Sequence, residues 1–177
     1  KIVINPVWRH YTPTEGEIVI DMDPGMAFGT GEHETTSMCI ELIEKNIKYQ
    51  DNLLDIGCGS GILSIVAKKL GANIVEAIDL DPVAVKVAKE NIEYNHLTGQ
   101  IVVKEGNLLD ESIGLYDIVV ANIMADAIIM LIQSVRLFMN KDGMFIASGI
   151  ISDKLSEVVF ELKKHNFVIT TLLQKGE

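Results

Sequence analysis

Glycines at alternate positions of the segment Asp55–Gly61 have the spacing of a turn that brings backbone close to a ligand. Gly57, Gly59 and Gly61 lie between a short apolar run and an apolar pattern with helical spacing. A strand, a glycine turn and a helix in this order are typical of a nucleotide-type site, because backbone N–H groups can then approach the ligand. The dinucleotide fingerprint G-x-G-x-x-G is excluded, since it requires glycine where Ile62 stands. On this motif alone, a glycine turn without a ligand remains the alternative.

An acidic residue at the end of the next predicted strand supports a ligand site. Asp79 ends the apolar run that begins at Ile74 and follows the glycine turn by about 20 residues. In nucleotide-binding folds, an acidic residue at this sequence spacing accepts hydrogen bonds from the ribose hydroxyls. Asp81 and Pro82 come next and have the residue types of a helix N-cap and first helical position. The alternative for Asp79 is a capping or solvated acid at a strand end.

Alternating strand and helix patterns predict an α/β fold with a doubly wound, mostly parallel sheet and helices on both faces. Ligands bind such sheets at the carboxyl ends of the strands, where Asp55, Asp79, residues 105–107 and Asn122 all fall. The predicted helices are 34–46, 61–70, 82–94, 125–139 and 152–165. The predicted strands start near residues 53 and 74 or span 17–20, 100–103, 116–121, 143–148 and 167–170.

Composition narrows the class of protein. A chain of 177 residues with 48% hydrophobic residues favours one domain with a substantial core. The chain has no apolar run of about 18 residues, so no membrane span is predicted. A formal net charge of −10 disfavours direct nucleic-acid binding, which needs a surface rich in lysine and arginine. Cys39 and Cys58 fit no metal spacing, so we expect no metal, reduced thiols and a cytoplasmic location.

A glycine-rich loop precedes the first predicted helix. Residues 21–36 include three glycines, a proline and a single aromatic residue, Phe28. Such a loop can close over a ligand, with Phe28 against an adenine ring or a methionine side chain, although Phe28 filling the core is the alternative. His33 is the histidine of this loop and a candidate for removing a proton, with a structural or exposed role as its alternative.

Five motifs together resemble the PrmA family, whose members methylate ribosomal large-subunit protein L-eleven. They are D-P-G-M-A-F-G-T-G-x-H-x-T-T at 23–36, D-I-G-C-G-S-G-I-L at 55–63, I-D-L-D-P at 78–82, V-V-A-N-I-M-A at 119–125 and S-G-I-I at 148–151. The resemblance extends over nearly the whole chain from Trp8 onward. It implies a Rossmann-like class I methyltransferase fold that uses S-adenosylmethionine. It also implies transfer of methyl groups to lysine side chains and the N-terminal α-amine of the ribosomal protein.

The resemblance also implies where the cofactor binds. Asp79 would accept the ribose hydroxyls, Gly57 and Gly59 would lie beside the methionine part, and Asn107 follows the strand where related enzymes address the adenine. The expected cofactor-binding residues are Phe28, Thr36, Asp55, Gly57, Gly59, Asp79, Asn107 and Asn122.

Asn122 is also the first candidate for a catalytic role, and His33 is the second. The resemblance implies that Asn122 lies close to the methyl group, where its side-chain carbonyl could accept a hydrogen bond from the incoming amine. Methyltransferases of glutamine or of nucleic-acid bases are similar but carry N-P-P-[YF] where this chain has Asn122-Ile123-Met124-Ala125. Such an enzyme, or a scaffold that binds the cofactor without catalysis, is the alternative.

The domain organisation departs from the family pattern. We predict that residues 1–14 form an N-terminal extension or linker and that residues 15–177 form the catalytic domain. The substrate-recognition domain of the family has no counterpart in this chain. The family also continues beyond the last residue of this chain, so the last strand of the sheet is expected to be truncated.

Overall fold

Strands and helices alternate along the described part of the chain, which comprises residues 1–23, 33–110 and 112–175 of a computed structural model. The strands are β1 (Ile2–Pro6), β2 (Ile18–Met22), β3 (Leu53–Ile56), β4 (Val75–Asp79), β5 (Val102–Glu105), β6 (Tyr116–Asn122) and β7 (Met139–Ser148). The helices are α1 (Glu34–Asn46), α2 (Ile62–Lys69), α3 (Pro82–Tyr94), α4 (Ala125–Ile132) and α5 (Ser152–Lys164), with a short 3₁₀ helix at Val135–Phe138.

Five parallel strands form the central sheet in the order β5-β4-β3-β6-β7. The chain enters this sheet at β3, continues outward through β4 and β5, and then returns to the other side of β3 with β6 and β7. The strand order therefore reverses between β3 and β6. In open α/β sheets, ligands bind in the crevice outside the carboxyl ends of the strands at such a reversal. The predicted fold class is confirmed.

The central sheet separates two apolar cores. Successive strand residues point to opposite faces, so Leu53 belongs to one core and Leu54 to the other. Helices α1, α2 and α3 contribute to the first core, whereas α4 and α5 contribute to the second. Coverage of both faces is typical of parallel sheets and confirms the prediction of helices on both sides.

A second, two-stranded sheet lies outside the central one. Strands β1 and β2 pair in parallel from Ile2 opposite Ile18 to Pro6 opposite Met22. The side chain of Asn5 donates to Asp21 Oδ1 at 2.7 Å across this pair. Strand β1 was not predicted, because its few residues before a proline carry little periodicity and its partner lies in a different segment.

The end of α4 differs from the prediction. The predicted helix 125–139 is wrong beyond Ile132, where a 3₁₀ helix replaces it and leads directly into β7 at Met139. Apolar residues continue through this 3₁₀ helix because Val135 is fully buried in the same core as α4. Strand β7 is irregular near its start, since Tyr116 pairs with Met139 but Ile118 pairs with Met144.

The predicted strand at 167–170 is wrong. Residues 167–175 join no strand ladder in the described structure. The Phe167 ring packs against Phe145 at 6.0 Å between centroids and lies under the Arg136 guanidinium at 4.6 Å. Val168, in contrast, is 84% exposed. The alternating apolar residues therefore reflect one partly buried ring here rather than a paired strand.

Close packing of α2 on α3 gives a test of the fold beneath the glycine turn. Gly61 has φ +80°, and a Cβ there would lie 3.1 Å from the Ala88 Cβ. Gly99 has a similar φ of +77° but open space around it. Gly99→Ala should cost about 1–2 kcal/mol of stability for the left-handed backbone. Gly61→Ala should cost about 1–3 kcal/mol more because of overpacking. Urea unfolding measures both, and equal losses would contradict the close contact.

Candidate active site

A cavity of about 570 Å³ lies at the carboxyl ends of β3, β4, β5 and β6. Its size falls within the range of small-molecule sites, about 300–1,000 Å³. The cavity brings together residues from five separate segments that the sequence analysis selected. They are Thr36, Gly57, Gly59, Asp79, Asn107 and Asn122.

Hydrogen bonds within the turn use the N–H groups of all three glycines. The φ angles of Gly57, Gly59 and Gly61 are +69°, +53° and +80°, which favours glycine at each position. Their N–H groups donate at 2.8 Å to the Ile78 carbonyl, Asp79 Oδ2 and the Cys58 carbonyl, respectively. The expectation that these N–H groups face a ligand is therefore not met. The carbonyl oxygens of Gly57 and Gly59 accept no hydrogen bond from a described residue.

Two backbone N–H groups hold the Asp79 carboxylate in place, but the carboxylate can still accept further hydrogen bonds. Its Oδ2 accepts the N–H of Gly59 at 2.8 Å, and its Oδ1 accepts the N–H of Asp81 at 2.9 Å. An ionised carboxylate offers about four acceptor sites, so about two remain for a ligand. Asp79 therefore has accepting capacity left on both carboxylate oxygens, in an orientation that these two bonds fix.

Asp55 lies beneath the turn and caps α2 from a neighbouring strand. Gly61 is the N-cap residue and has no side chain with which to cap the helix. Oδ2 of Asp55 instead accepts the Ser64 N–H at 3.1 Å and the Ser64 hydroxyl at 2.7 Å. A negative charge also suits the positive end of the helix dipole. Asp55 is 1% exposed and does not line the cavity, so its contact with a cofactor stays a prediction.

Asn122 presents an oxygen without a partner. Its Nδ2 donates to the Thr36 hydroxyl at 3.3 Å, which fixes the side chain from the first turn of α1. Its Oδ1 is buried and has no hydrogen-bond partner in the described structure. Buried polar atoms are almost always paired, so an unpaired acceptor that belongs to a cavity wall is a candidate for binding a donor. Asn122, held by Thr36, is therefore a candidate for binding an N–H group of a ligand.

Contacts of the adjacent residue Ile123 fix the position of Asn122. The Ile123 side chain fills the space that a Cβ on Gly57 would need, so these two strand ends are in direct contact. On its other side, the Ile123 carbonyl oxygen would lie 2.5 Å from a Cβ on Gly149. The Ile123 N–H also donates to the Ser148 carbonyl at 3.2 Å. The ends of the two neighbouring strands, β3 and β7, thus hold the segment that carries Asn122.

His33 serves as the N-cap of α1. Its Nδ1 accepts the Thr35 N–H at 3.4 Å and lies 2.8 Å from the Thr35 hydroxyl. It lines a second cavity of about 550 Å³ beside β7, which shares Asn122 with the first. These bonds support the structural alternative, and a catalytic role for His33 stays a prediction. Phe28 lies outside the described residues.

Sequence reasoning did not identify several residues of the site. Leu80 lines the cavity although its side chain is 68% exposed, and its position directly after Asp79 was a usable signal. Ile123 lay within a recognised motif but had no assigned place. Asn91, whose side chain bonds to the glycine turn, had no signal because it appeared as an ordinary polar residue of a helix.

Two other features are absent from the described residues. None of their helices is long and apolar enough to cross a membrane. Within the same residues, no group of three or more His, Cys, Asp or Glu side chains could hold a metal ion. Burial raises the pKa of both cysteine thiols, that of Cys39 to about 12.

The sheet order, the glycine turn at the reversal point and the acid at the end of β4 together define a class I methyltransferase fold. A family model described as "Ribosomal protein L11 methyltransferase (PrmA)" matches residues 1–177. The chain belongs to this family.

Relatives and a solved structure agree with the family assignment. The chain is 51% identical over 177 residues to a ribosomal protein L11 methyltransferase of Clostridium perfringens and 50% identical to that of Alkaliphilus metalliredigens. Each match covers 100% of this chain but 56% of the relative, so the chain spans about half the length of these curated relatives. The crystal structure of ribosomal protein L11 methylase from Lactobacillus delbrueckii subsp. bulgaricus is 35% identical with a TM-score of 0.93. That match covers 99% of this chain and 90% of that one.

Burial of Asp55 gives a prediction for stability against pH. Burial raises the pKa of Asp55 from 3.8 to about 7, the Asp79 charge acts in the same direction, and hydrogen bonds from Ser64 oppose it. The folded state therefore keeps a proton that the unfolded state has lost, so the contribution of Asp55 to stability falls between about pH 4 and pH 7.

Asp55→Asn should remove this fall, because an amide accepts from Ser64 without titrating. Relative to the wild type, the variant should gain up to about 1.4 kcal/mol per pH unit across that range. Urea unfolding at several pH values measures the difference. A difference that stays constant from pH 4 to pH 7 would contradict the raised pKa.

Proposed function

We propose that this chain transfers methyl groups from S-adenosylmethionine to amines of ribosomal protein L11, namely lysine side chains and the N-terminal α-amine. Membership of the family and the names of the relatives support the reaction and the substrate. The observation that carries the proposal is the buried, unpartnered Oδ1 of Asn122 in the wall of a cavity that also holds Asp79.

The cavity fits S-adenosylmethionine better than a dinucleotide. Asp79 has about two free acceptor sites, which match the two hydroxyls of a ribose. The carbonyls of Gly57 and Gly59 accept no hydrogen bond from a described residue, so we propose them as acceptors for the ammonium group of a methionine part. A pyrophosphate instead needs N–H donors, and those of the three turn glycines already have partners. Asn107 also lines the cavity, and we place the adenine beside it.

Positioning of an amine is the main chemical task of the chain. When bound, S-adenosylmethionine supplies an already activated methyl group. The acceptor amine must be neutral, and this costs about 4.6 kcal/mol at pH 7 for a lysine of pKa about 10.4, at about 1.36 kcal/mol per unit. An N-terminal amine of pKa about 7.7–8.0 costs only about 1–1.4 kcal/mol. Asn122 Oδ1 would accept one amine hydrogen and so direct the lone pair towards the methyl carbon.

The strand end favours an amine over a planar amide or base as the acceptor. Enzymes with N-P-P-[YF] have an aromatic ring and prolines on which a planar acceptor stacks. Here Ile123 is packed into Gly57 and Met124 is 79% exposed, so neither provides a fixed flat surface. An amine needs a hydrogen-bond acceptor instead, and Asn122 offers one.

Several finer assignments belong to the same proposal. We place Phe28 and Thr36 next to the cofactor and leave His33 as a candidate base. We assign residues 15–177 to the catalytic domain and residues 1–14 to an extension or linker. A ribosomal substrate places the reaction in the cytoplasm.

Asp79 provides the test of cofactor binding. The wild-type chain should bind S-adenosylmethionine and S-adenosylhomocysteine but not nicotinamide dinucleotides. Asp79→Ala should weaken binding by about 1.5–3 kcal/mol, because charge-assisted hydrogen bonds to the ribose are lost. Calorimetry measures these affinities.

Asp79→Ala also removes hydrogen bonds that support the backbone, and Asp117→Ala is the control for that loss. Asp117 accepts the Asn52 N–H at 2.9 Å and the Asn140 side chain at 2.6 Å at the opposite edge of the sheet. This variant should bind like the wild type. Undiminished binding by Asp79→Ala would rule out the ribose assignment.

Asn122 provides the test of the reaction. In the full-length protein with L11 as acceptor, Asn122→Ala should raise the barrier of the methyl-transfer step by about 2–4 kcal/mol, because a bond to the reacting amine is lost. The affinity for S-adenosylmethionine should change less. Turnover at saturating cofactor and calorimetry separate the two effects. Asn122→Asp keeps an oxygen and adds charge, so it tests whether an acceptor oxygen suffices.

The matched control for Asn122 is Asn46→Ala. Asn46 lies at the far end of α1 from Thr36 and donates to the Leu42 carbonyl at 2.7 Å. Its loss should leave turnover unchanged. If Asn122→Ala lost cofactor affinity alone and kept its turnover, the role in holding the amine would be wrong.

A further inference from the structure

Side chains from two helices form hydrogen bonds with the backbone groups on the edge of β2 that faces away from β1. On the paired edge, the Ile18 N–H bonds to the Lys1 carbonyl at 2.9 Å. On the outer edge, Lys69 of α2 donates to the Val19 carbonyl at 2.7 Å. The next two outward-facing residues, Asp21 and Asp23, are bound by two asparagines of the α3 region.

Each of these asparagines binds both backbone groups of one residue. Asn95 accepts the Asp21 N–H at 3.0 Å and donates to the Asp21 carbonyl at 2.6 Å. Asn91 accepts the Asp23 N–H at 2.9 Å and donates to the Asp23 carbonyl at 3.4 Å. A side-chain amide thus takes the place of a backbone amide in a neighbouring strand.

Helix and strand dimensions explain the spacing of the pair. Residues four apart in an α-helix are separated by about 6 Å along the axis. Residues two apart in a strand are separated by about 6.6 Å. The spacing of Asn91 and Asn95 therefore matches that of Asp23 and Asp21, their respective partners, and the helix acts as a strand partner for this edge.

Asn91 has one partner that Asn95 lacks. Its Nδ2 also donates to the Ser60 carbonyl in the glycine turn at 2.9 Å. Asn91 is 0% exposed, so this bond is shielded from water. Asn95 is equally deep at 4% exposed, but its third bond goes to the Asn91 carbonyl at 2.8 Å.

We propose that Asn91 is a positioning residue of the cofactor site, because one buried amide joins the glycine turn to Asp23, the residue that precedes segment 24–32. This inference rests on the proposed function, since it concerns the same cofactor. Ser60 lies between Gly59 and Gly61, both with left-handed backbone, and because glycine can adopt many other backbone conformations, contacts from neighbouring residues must fix this one. Asn91 provides that support and aligns the turn carbonyls with the rest of the cavity.

Paired alanine variants separate positioning from general stability. Asn91→Ala and Asn95→Ala each remove a buried amide that holds the same edge of β2, but Asn91→Ala alone removes the bond to the turn. Asn91→Ala should raise the Kd for S-adenosylmethionine about tenfold or more, as expected for loss of one buried hydrogen bond. Asn95→Ala should raise it less than about threefold. Calorimetry on this chain measures both, and equal changes in the two variants would overturn the proposal.

A second measurement is independent of the cofactor. Amide exchange of residues 57–61 should be faster in Asn91→Ala than in the wild type, and unchanged in Asn95→Ala. If the wild type bound no S-adenosylmethionine, the proposed function would fail, while this exchange would still report on the turn. Exchange that is the same in both variants would overturn the positioning role.

A third variant covers the case in which Asn91→Ala does not fold. Asn91→Asp keeps the shape and the acceptor for Asp23, but an ionised carboxylate cannot donate to Ser60. Burial favours its protonated form, which has a donor again. The affinity of Asn91→Asp relative to Asn95→Asp should therefore improve as the pH is lowered. Asp21, Asp23 and Lys69 lie along the same edge and are present in both variants. Taking the ratio of the two affinities at each pH therefore cancels the effect of their titration. A ratio independent of pH would overturn the proposal.

Discussion

The hydrogen bond from the Gly59 N–H to Asp79 Oδ2, 2.8 Å long, is the contact on which the site depends. It joins the turn after β3 to the end of β4, so the left-handed glycine backbone and the proposed ribose acceptor are fixed by the same bond. The second oxygen of Asp79 holds the start of α3 through Asp81. Because α3 also carries Asn91, which reaches back to the turn through Ser60, the turn is supported from two sides.

Three buried side-chain oxygens lack a partner in the described structure, and their surroundings give them different meanings. Oε1 of Glu76 belongs to a carboxylate that already pairs with Lys104 at 3.2 Å, on a residue that does not line the cavity. Oδ1 of Asp55 lies below the cavity, and the high pKa of that carboxyl reflects its burial. Only Asn122, among these three, lines the cavity. An unpaired oxygen on a residue of the cavity wall is a candidate acceptor for a ligand, which is why it supports the proposed chemical role.

Sequence alone predicted the elements that depend on local pattern. Buried parallel strands, the glycine turn and Asp79 at a strand end follow from residue type and spacing, and the structure places them as expected. Long-range features escaped prediction: β1 needs a partner sixteen residues away, as the pair Ile2–Ile18 shows. The buried amide of Asn91 looks like any polar residue of a helix surface. Val135 continued the apolar pattern of α4 although the backbone had already changed to a 3₁₀ helix.

The fold by itself does not decide which ligand this turn accepts. In a dinucleotide site the same strand, turn and helix offer free N–H groups to a pyrophosphate. Here Asp79 takes the Gly59 N–H, and the Ile78 carbonyl takes that of Gly57. Gly57, Gly59 and Asp79 all line the cavity. The groups of these residues that keep free accepting capacity among the described residues are two carbonyl oxygens and a carboxylate. Such a surface favours a ligand with hydroxyl and ammonium donors over one with phosphates. The choice between the two follows from which backbone groups the neighbouring strand has already bound.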